Sequence, residues 1–136
     1  MQAILNGNQF RKLLEKEYGQ LHMEYNLKKI DIQILQHLSR AGQHNTAKDI
    51  VALGLFTKGH VSQSLNRLYK REMIDMVHDE QDRRCVHIIL RQSAEQIVEE
   101  VNEVQSRVNA IVFQGISDEE LHSLSCIANK INDNIL

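Results

Sequence analysis

Proline and tryptophan are both absent from the 136 residues. Without proline nothing forces a helix to break, since it is the pyrrolidine ring that removes an amide donor and clashes with the preceding turn. Aromatic residues are 4% of the chain, three Tyr and three Phe, which is a poor supply for a β sandwich or for stacking single-stranded bases. The two cysteines, Cys85 and Cys126, are too few for a disulfide framework and lie in no CxxC spacing, so they read as reduced thiols. No apolar run approaches the roughly 20 residues of a membrane span. Residues 1–20 also lack the uninterrupted apolar core of a signal peptide, and cytoplasmic residence is expected. There is no Gly-rich phosphate loop, no GxSxG and no paired acid and base constellation, so no enzyme is expected.

What is present is ordinary for a soluble globular protein, 42% hydrophobic and 25% charged, in a length that fits one domain or a small domain plus an oligomerisation element. The net charge of −2 is unevenly spread. Residues 1–56 carry seven Lys/Arg against five Asp/Glu, residues 57–91 again seven against five, and residues 92–136 only two against eight. An acidic last third would be repelled by phosphate, whereas the basic part would be drawn to it.

Along the chain, Phe10, Leu13, Leu14, Tyr18, Leu21 and Tyr25 recur at helical steps and predict an amphipathic helix over 8–25. Ile30, Ile34, Leu35 and Leu38 predict a second helix ending near Ala41-Gly42. Asn45 or Thr46 can cap a short third helix, with Ala47, Ile50, Val51 and Leu53 as its buried side. Thr57 caps a fourth, in which Val61, Leu65 and Leu68 form the buried stripe and Lys58, Ser62, Gln63, Asn66, Arg67 and Lys70 face outward. Residues 73–78 and 85–90 are β-prone runs on either side of the polar turn Asp79-Glu80-Gln81-Asp82-Arg83-Arg84. A short helix, a tight turn, a polar-faced helix and a hairpin make a winged helix-turn-helix. Ile97, Val101, Val104, Val108 and Ile111 then trace a heptad seam. Ser117-Asp118-Glu119-Glu120 opens a last helix striped by Leu121, Leu124, Ile127, Ile131 and Ile135.

These residues resemble the multiple antibiotic resistance regulator (MarR) family of winged-helix transcription factors over residues 28–136. The wing Asp79-Glu80-Gln81-Asp82-Arg83-Arg84-Cys85-Val86-His87-Ile88-Ile89-Leu90 is similar to the family's Asp-x-Arg tip and alternating strand. Val61-Ser62-Gln63-Ser64-Leu65-Asn66-Arg67-Leu68 resembles its recognition helix, and Ile116-Ser117-Asp118-Glu119-Glu120-Leu121 the start of its final helix. The resemblance implies a mainly α fold with a small β wing: a dimerisation helix over 1–27, a DNA-binding winged helix-turn-helix over 28–91 and dimerisation helices over 92–136. It implies a homodimeric, ligand-responsive repressor that binds a pseudo-palindromic double-stranded operator, with Asp82 orienting Arg84 into a minor groove. Where the family has Gly after the recognition helix this chain has Glu72, and Arg91-Gln92-Ser93-Ala94 replaces its Thr-x-x-Gly, leaving Ser93 as the expected cap of the next helix.

The expected DNA contacts are Lys58, His60, Ser62, Gln63, Ser64, Arg67, Asp82, Arg83 and Arg84; Gln63 is able to pair with adenine through two hydrogen bonds. An effector pocket, implied by the resemblance alone, would be bordered by Tyr18, His22, Tyr25 or His37. The competing readings are a solvated charged turn for Asp82 and Arg84, a winged helix used only for protein contacts, and a zinc-sensing regulator of the same fold. The seven histidines show no HxxxH or HxxE spacing, so neither a metal site nor a cofactor is expected. The apolar faces around Phe10, Val104 and Ile127 exceed what a central winged unit can cover, and either pack on one another or meet a second copy.

Overall fold

The structure, a computed structural model, describes residues 7–136, so residues 1–6 of the expected N-terminal dimerisation helix lie outside the described residues. The elements in order are α1 (Gly7–Tyr25), α2 (Lys29–Arg40), α3 (Ala47–Ala52), α4 (Lys58–Lys70), β1 (Ile74–His78), β2 (Val86–Leu90), α5 (Gln92–Val112) and α6 (Asp118–Ile135).

Local chemistry sets most of these boundaries. Thr46 Oγ1 accepts the Asp49 amide at 3.1 Å while Asp49 accepts the Thr46 amide in return, a reciprocal cap that starts α3. Thr57 Oγ1 accepts the His60 amide at 3.2 Å and starts α4. Ser117 and Glu120 repeat the reciprocal arrangement at α6. Gly42, past the end of α2, has φ +55, the left-handed conformation that costs glycine nothing.

The core lies where α2, α3, α4 and β1 meet. Ile34, Leu35, Ile50, Leu68 and Ile74 are completely buried there; each such side chain contributes about 1.5–3 kcal/mol through its removal from water. Of the predicted buried side of α3, Ile50 is buried and Val51 half-buried, but Ala47 and Leu53 are exposed. A six-residue helix turns less than two times, so only one position per turn can point squarely inward.

The junction from α4 into the wing is a Schellman turn. The Met73 amide donates to Leu68 O at 3.0 Å and the Glu72 amide to Tyr69 O at 3.0 Å. Leu68 and Met73, the pair that commonly touch across such a turn, are both buried. Glu72 itself takes φ +57, so the left-handed turn is kept without glycine and carries the usual penalty for a side chain. Ser93 does not cap α5, as the sequence implied: Arg91 occupies the N-cap position, and Ser93 Oγ donates to Glu72 O at 2.7 Å. The hydroxyl therefore braces the strained turn.

The wing is a two-stranded antiparallel sheet with Ile74 opposite Leu90 and His78 opposite Val86. The Ile88 amide donates to Asn45 O at 2.9 Å, which fastens β2 to the segment ahead of α3. In α5, Ile97, Val101, Val104 and Val108 are buried against α1 and α2 of the same chain, whereas Ile111 is half-exposed. The heptad seam thus fills an intramolecular layer. α6 presents Leu124, Ile127, Ile131 and Ile135 as exposed apolar side chains, and none of its residues is buried.

Candidate nucleic-acid interface

α4 buries Val61, Leu65 and Leu68 and turns its other side outward. Lys58, His60, Ser62, Gln63, Asn66, Tyr69 and Lys70 are all exposed on that side. Donors and acceptors at the N-terminal end of a helix, next to its free amides, are what base edges and phosphates require. Lys58, Ser62, Gln63, Asn66 and Lys70 face outward as the apolar stripe implied, and His60 is exposed beside them.

Ser64 is a correction, because it is fully buried and no base could reach it. Its Oγ donates to Asp31 Oδ1 at 2.5 Å. Arg67, expected to face outward, is half-buried and donates to the same carboxylate, Nη2 to Oδ1 at 2.7 Å. Asp31 is 2% exposed and also accepts the Lys28 amide at 3.0 Å. Burial acts to raise its carboxyl, but the hydrogen bonds from Arg67, Ser64 and the Lys28 amide outweigh this and hold it below the ordinary carboxylate value. This triad locks the inner face of α4 onto the start of α2. At the other end of α4, Arg71 donates through Nη1 to Asn26 O at 2.9 Å and through Nη2 to Tyr25 O, tying the helix to the end of α1.

The wing tip is built by carboxylates that accept backbone amides. Asp79 Oδ1 accepts from Gln81 at 2.8 Å and from Asp82 at 3.2 Å, and Asp82 Oδ1 accepts the Arg84 amide at 3.1 Å. Asp82 thus fixes the Arg84 backbone, where the sequence led to the expectation of a side-chain pair. Arg83 and Arg84 are left exposed at the tip. Below it, His87 Nε2 lies 2.8 Å from Asp79 Oδ2 and His87 Nδ1 2.6 Å from Asn45 Oδ1. The His87 hydrogen bond, then the Gln81 and Asp82 amides, hold the Asp79 carboxyl below its usual range.

A cavity of about 500 Å³ opens between α1, α2 and α5. Tyr18 and His22 line it together with Leu14, Ile32, Gln105 and Phe113. Tyr18 Oη donates to Gln105 Oε1 at 2.8 Å, and burial raises the phenol. Tyr25 and His37 do not line this cavity. Tyr25 is directed at Glu100, whose carboxylate pushes the phenol up to about 12, and His37 Nε2 donates to His44 O at 3.2 Å. Periodicity put Tyr18 and Tyr25 on the inner face of α1, whereas the pocket itself was implied by the resemblance alone, and neither could tell which face bounded a void.

Sequence reasoning missed Asp31, the hub of α4's anchorage, and the grouping of Asp79, Cys85 and His87. A buried carboxylate at the third position of a helix looks like an ordinary cap in sequence, and the grouping forms only once the hairpin register is known.

Residues 27–94 match the winged helix DNA-binding domain family, and the chain belongs to it. Solved structures of three regulators of the MarR family share its fold. The S. aureus MepR–DNA complex is 19% identical over 95% of this chain and 93% of its own, with a TM-score of 0.80. Bordetella bronchiseptica BpsR, whose DNA binding is regulated by 6-hydroxynicotinic acid, is 20% identical over 96% and 95%, with a TM-score of 0.67. The heme sensor PefR of Streptococcus agalactiae, with heme bound, is 20% identical over 93% and 86%, with a TM-score of 0.61. Among the described residues no helix is long and apolar enough to cross a membrane.

Proposed function

We propose that the protein is a cytoplasmic transcriptional repressor that binds a pseudo-palindromic double-stranded operator as a homodimer and releases it when a small molecule binds. The observation that carries this reading is the exposed polar face of α4 beside the exposed Arg83 and Arg84 of the wing tip. Lys58, His60, Ser62 and Gln63 read the major groove, while Arg84 enters the adjacent minor groove, whose narrow walls focus negative potential on a guanidinium.

Two copies are needed to read two half-sites one helical turn apart. Leu124, Ile127 and Ile131 on α6, with Phe10 and Ile111 beside them in character, are exposed apolar side chains that a second copy would cover. Residues 7–27 and 92–136 would then form the dimer layer and 28–91 the DNA-binding layer. The acidic charge of 92–136 would lie on the side away from phosphate. An effector in the cavity between α1, α2 and α5 acts by binding better to a half-site spacing that mismatches the operator.

Arg84→Ala tests the wing. Operator affinity should fall by about 1–3 kcal/mol in a gel-shift titration, with the dimer intact. An unchanged affinity would leave the tip as a solvated turn.

A further inference from the structure

The base of the wing carries a second chemistry. Asp79 directly follows β1 and Cys85 directly precedes β2. Since Val77 lies opposite His87, continuing the register sets Asp79 opposite Cys85, and the Asp79 amide donates to Cys85 O at 2.9 Å. Cys85 and His87 are two residues apart on one strand, so their side chains share a face, and Asp79 joins them from across the ladder. One ligand atom from each of the three lies within 4.8 Å of the others. All three side chains are partly shielded from solvent.

We propose that Asp79, Cys85 and His87 form a site for a zinc-type divalent transition metal at the base of the wing, with the fourth position taken by water. A thiolate, an imidazole and a carboxylate are the ligand types zinc takes in tetrahedral sites, and a sulfur ligand disfavours magnesium and calcium. The two negative ligands balance the charge of the ion. The surroundings orient the ligands as outer-shell groups do. Asp79 Oδ1 is held by the Gln81 and Asp82 amides, which leaves Oδ2 for the site. In the metal-free chain His87 Nε2 donates to Asp79 Oδ2; on binding, the imidazole hydrogen sits on Nδ1, which donates to Asn45 Oδ1, and Nε2 is freed for the ion. The 2.8 Å between Nε2 and Oδ2 is a hydrogen-bond distance. Bond lengths of about 2.0–2.2 Å in a tetrahedral site require the pair to open by roughly half an ångström. That is within the reach of side-chain rotation at a hairpin end.

Binding replaces the S–H bond of Cys85 with a metal–sulfur bond and the Nε2–H of His87 with a metal–nitrogen bond; the thiol proton goes to solvent and the imidazole keeps only its Nδ1 hydrogen, so affinity rises with pH. The ion would clamp the two arms of the wing directly beneath Arg83 and Arg84. Through His87 and Asn45 it would also tie the wing to the start of α3. The site does not depend on the DNA-binding reading and stands or falls separately from it.

Cobalt(II) titration of the purified chain, followed by absorbance, tests the site. One equivalent of Co²⁺ should give a thiolate-to-cobalt charge-transfer band and tetrahedral d–d bands, both bleached by added Zn²⁺. Cys85→Ser should abolish the charge-transfer band, and His87→Gln should weaken binding at least about tenfold. Cys126 is the control. Its Sγ lies 3.6 Å from His122 Nε2 on α6, and Cys126→Ser should leave the spectrum intact. Circular dichroism of each variant checks the fold, and His87→Gln carries the test if Cys85→Ser unfolds. Absence of the band at equimolar Co²⁺, its survival in Cys85→Ser, or its loss in Cys126→Ser would each overturn the assignment.

Discussion

Replacing Asp31 with alanine should lower stability by about 3 kcal/mol, the low end of what breaking a buried ion pair costs. The low end applies because Arg67 keeps 33% of its side chain in water. Ser64, by contrast, is completely buried and would lose its acceptor, and an unpaired buried hydroxyl adds its own penalty. Against a total stability of about 5–15 kcal/mol this is a large loss. Denaturant melts of the wild type and Asp31→Ala measure it directly, and a difference under about 1 kcal/mol would show that the triad does not anchor α4.

The same group gives a pH signature. Its folded-state value lies below the ordinary 3.8. The stabilisation it supplies is therefore complete above about pH 4 and is lost as pH falls through the folded value. The wild type should lose its advantage over Asp31→Ala in acid and keep it unchanged at neutral and higher pH.

A second large effect is expected at α6. Ile127 and Ile131 are exposed within the chain, so glutamate at both positions should leave the fold of one chain intact. In the dimer the same positions would be buried, and four carboxylates facing one another there would drive the copies apart. Sedimentation should show a single chain. Affinity for a two-half-site operator should drop by about 10²–10⁴, the factor by which linking two weak contacts ordinarily exceeds one. A double variant that stays dimeric would place the interface elsewhere.

The helices and hairpin were legible because each has a local cause. Apolar residues at helical steps outlined α1, α2, α4, α5 and α6, and the hydroxyls of Thr46, Thr57 and Ser117 marked three starts. What escaped the sequence depends on relations between elements. The heptad in α5 is the same whether it meets a second copy or α1 and α2, and only the fold decides for the latter. Ser64 sits one residue from Gln63, yet the 100° turn between them is the difference between the core and the solvent. Asp82 and Arg84 sit in the family's spacing, but the carboxylate is spent on a backbone amide. His87 carries no metal signal in sequence because HxxxH and HxxE are helical spacings, whereas its partners come from a strand neighbour and a cross-strand neighbour. Glu72, which stands where the family has glycine, keeps the left-handed turn into the wing, and Ser93, expected to cap α5, is the residue that braces it.

On the proposed reading, the outer face of α4 and the wing tip hold a DNA duplex. The most direct test is the affinity of the purified protein, as a function of salt, for duplex DNA from the region upstream of its own gene. With the cations of Lys58, Arg83 and Arg84 from each of two copies brought against the duplex, in its grooves or on its backbone, about six condensed counterions are displaced, and log K should fall against log salt with a slope of about −5. That predicts tight binding at about 50 mM salt and a loss of about a thousandfold by about 200 mM. No binding at low salt, or an affinity indifferent to salt, would contradict it and leave a winged helix that meets other proteins.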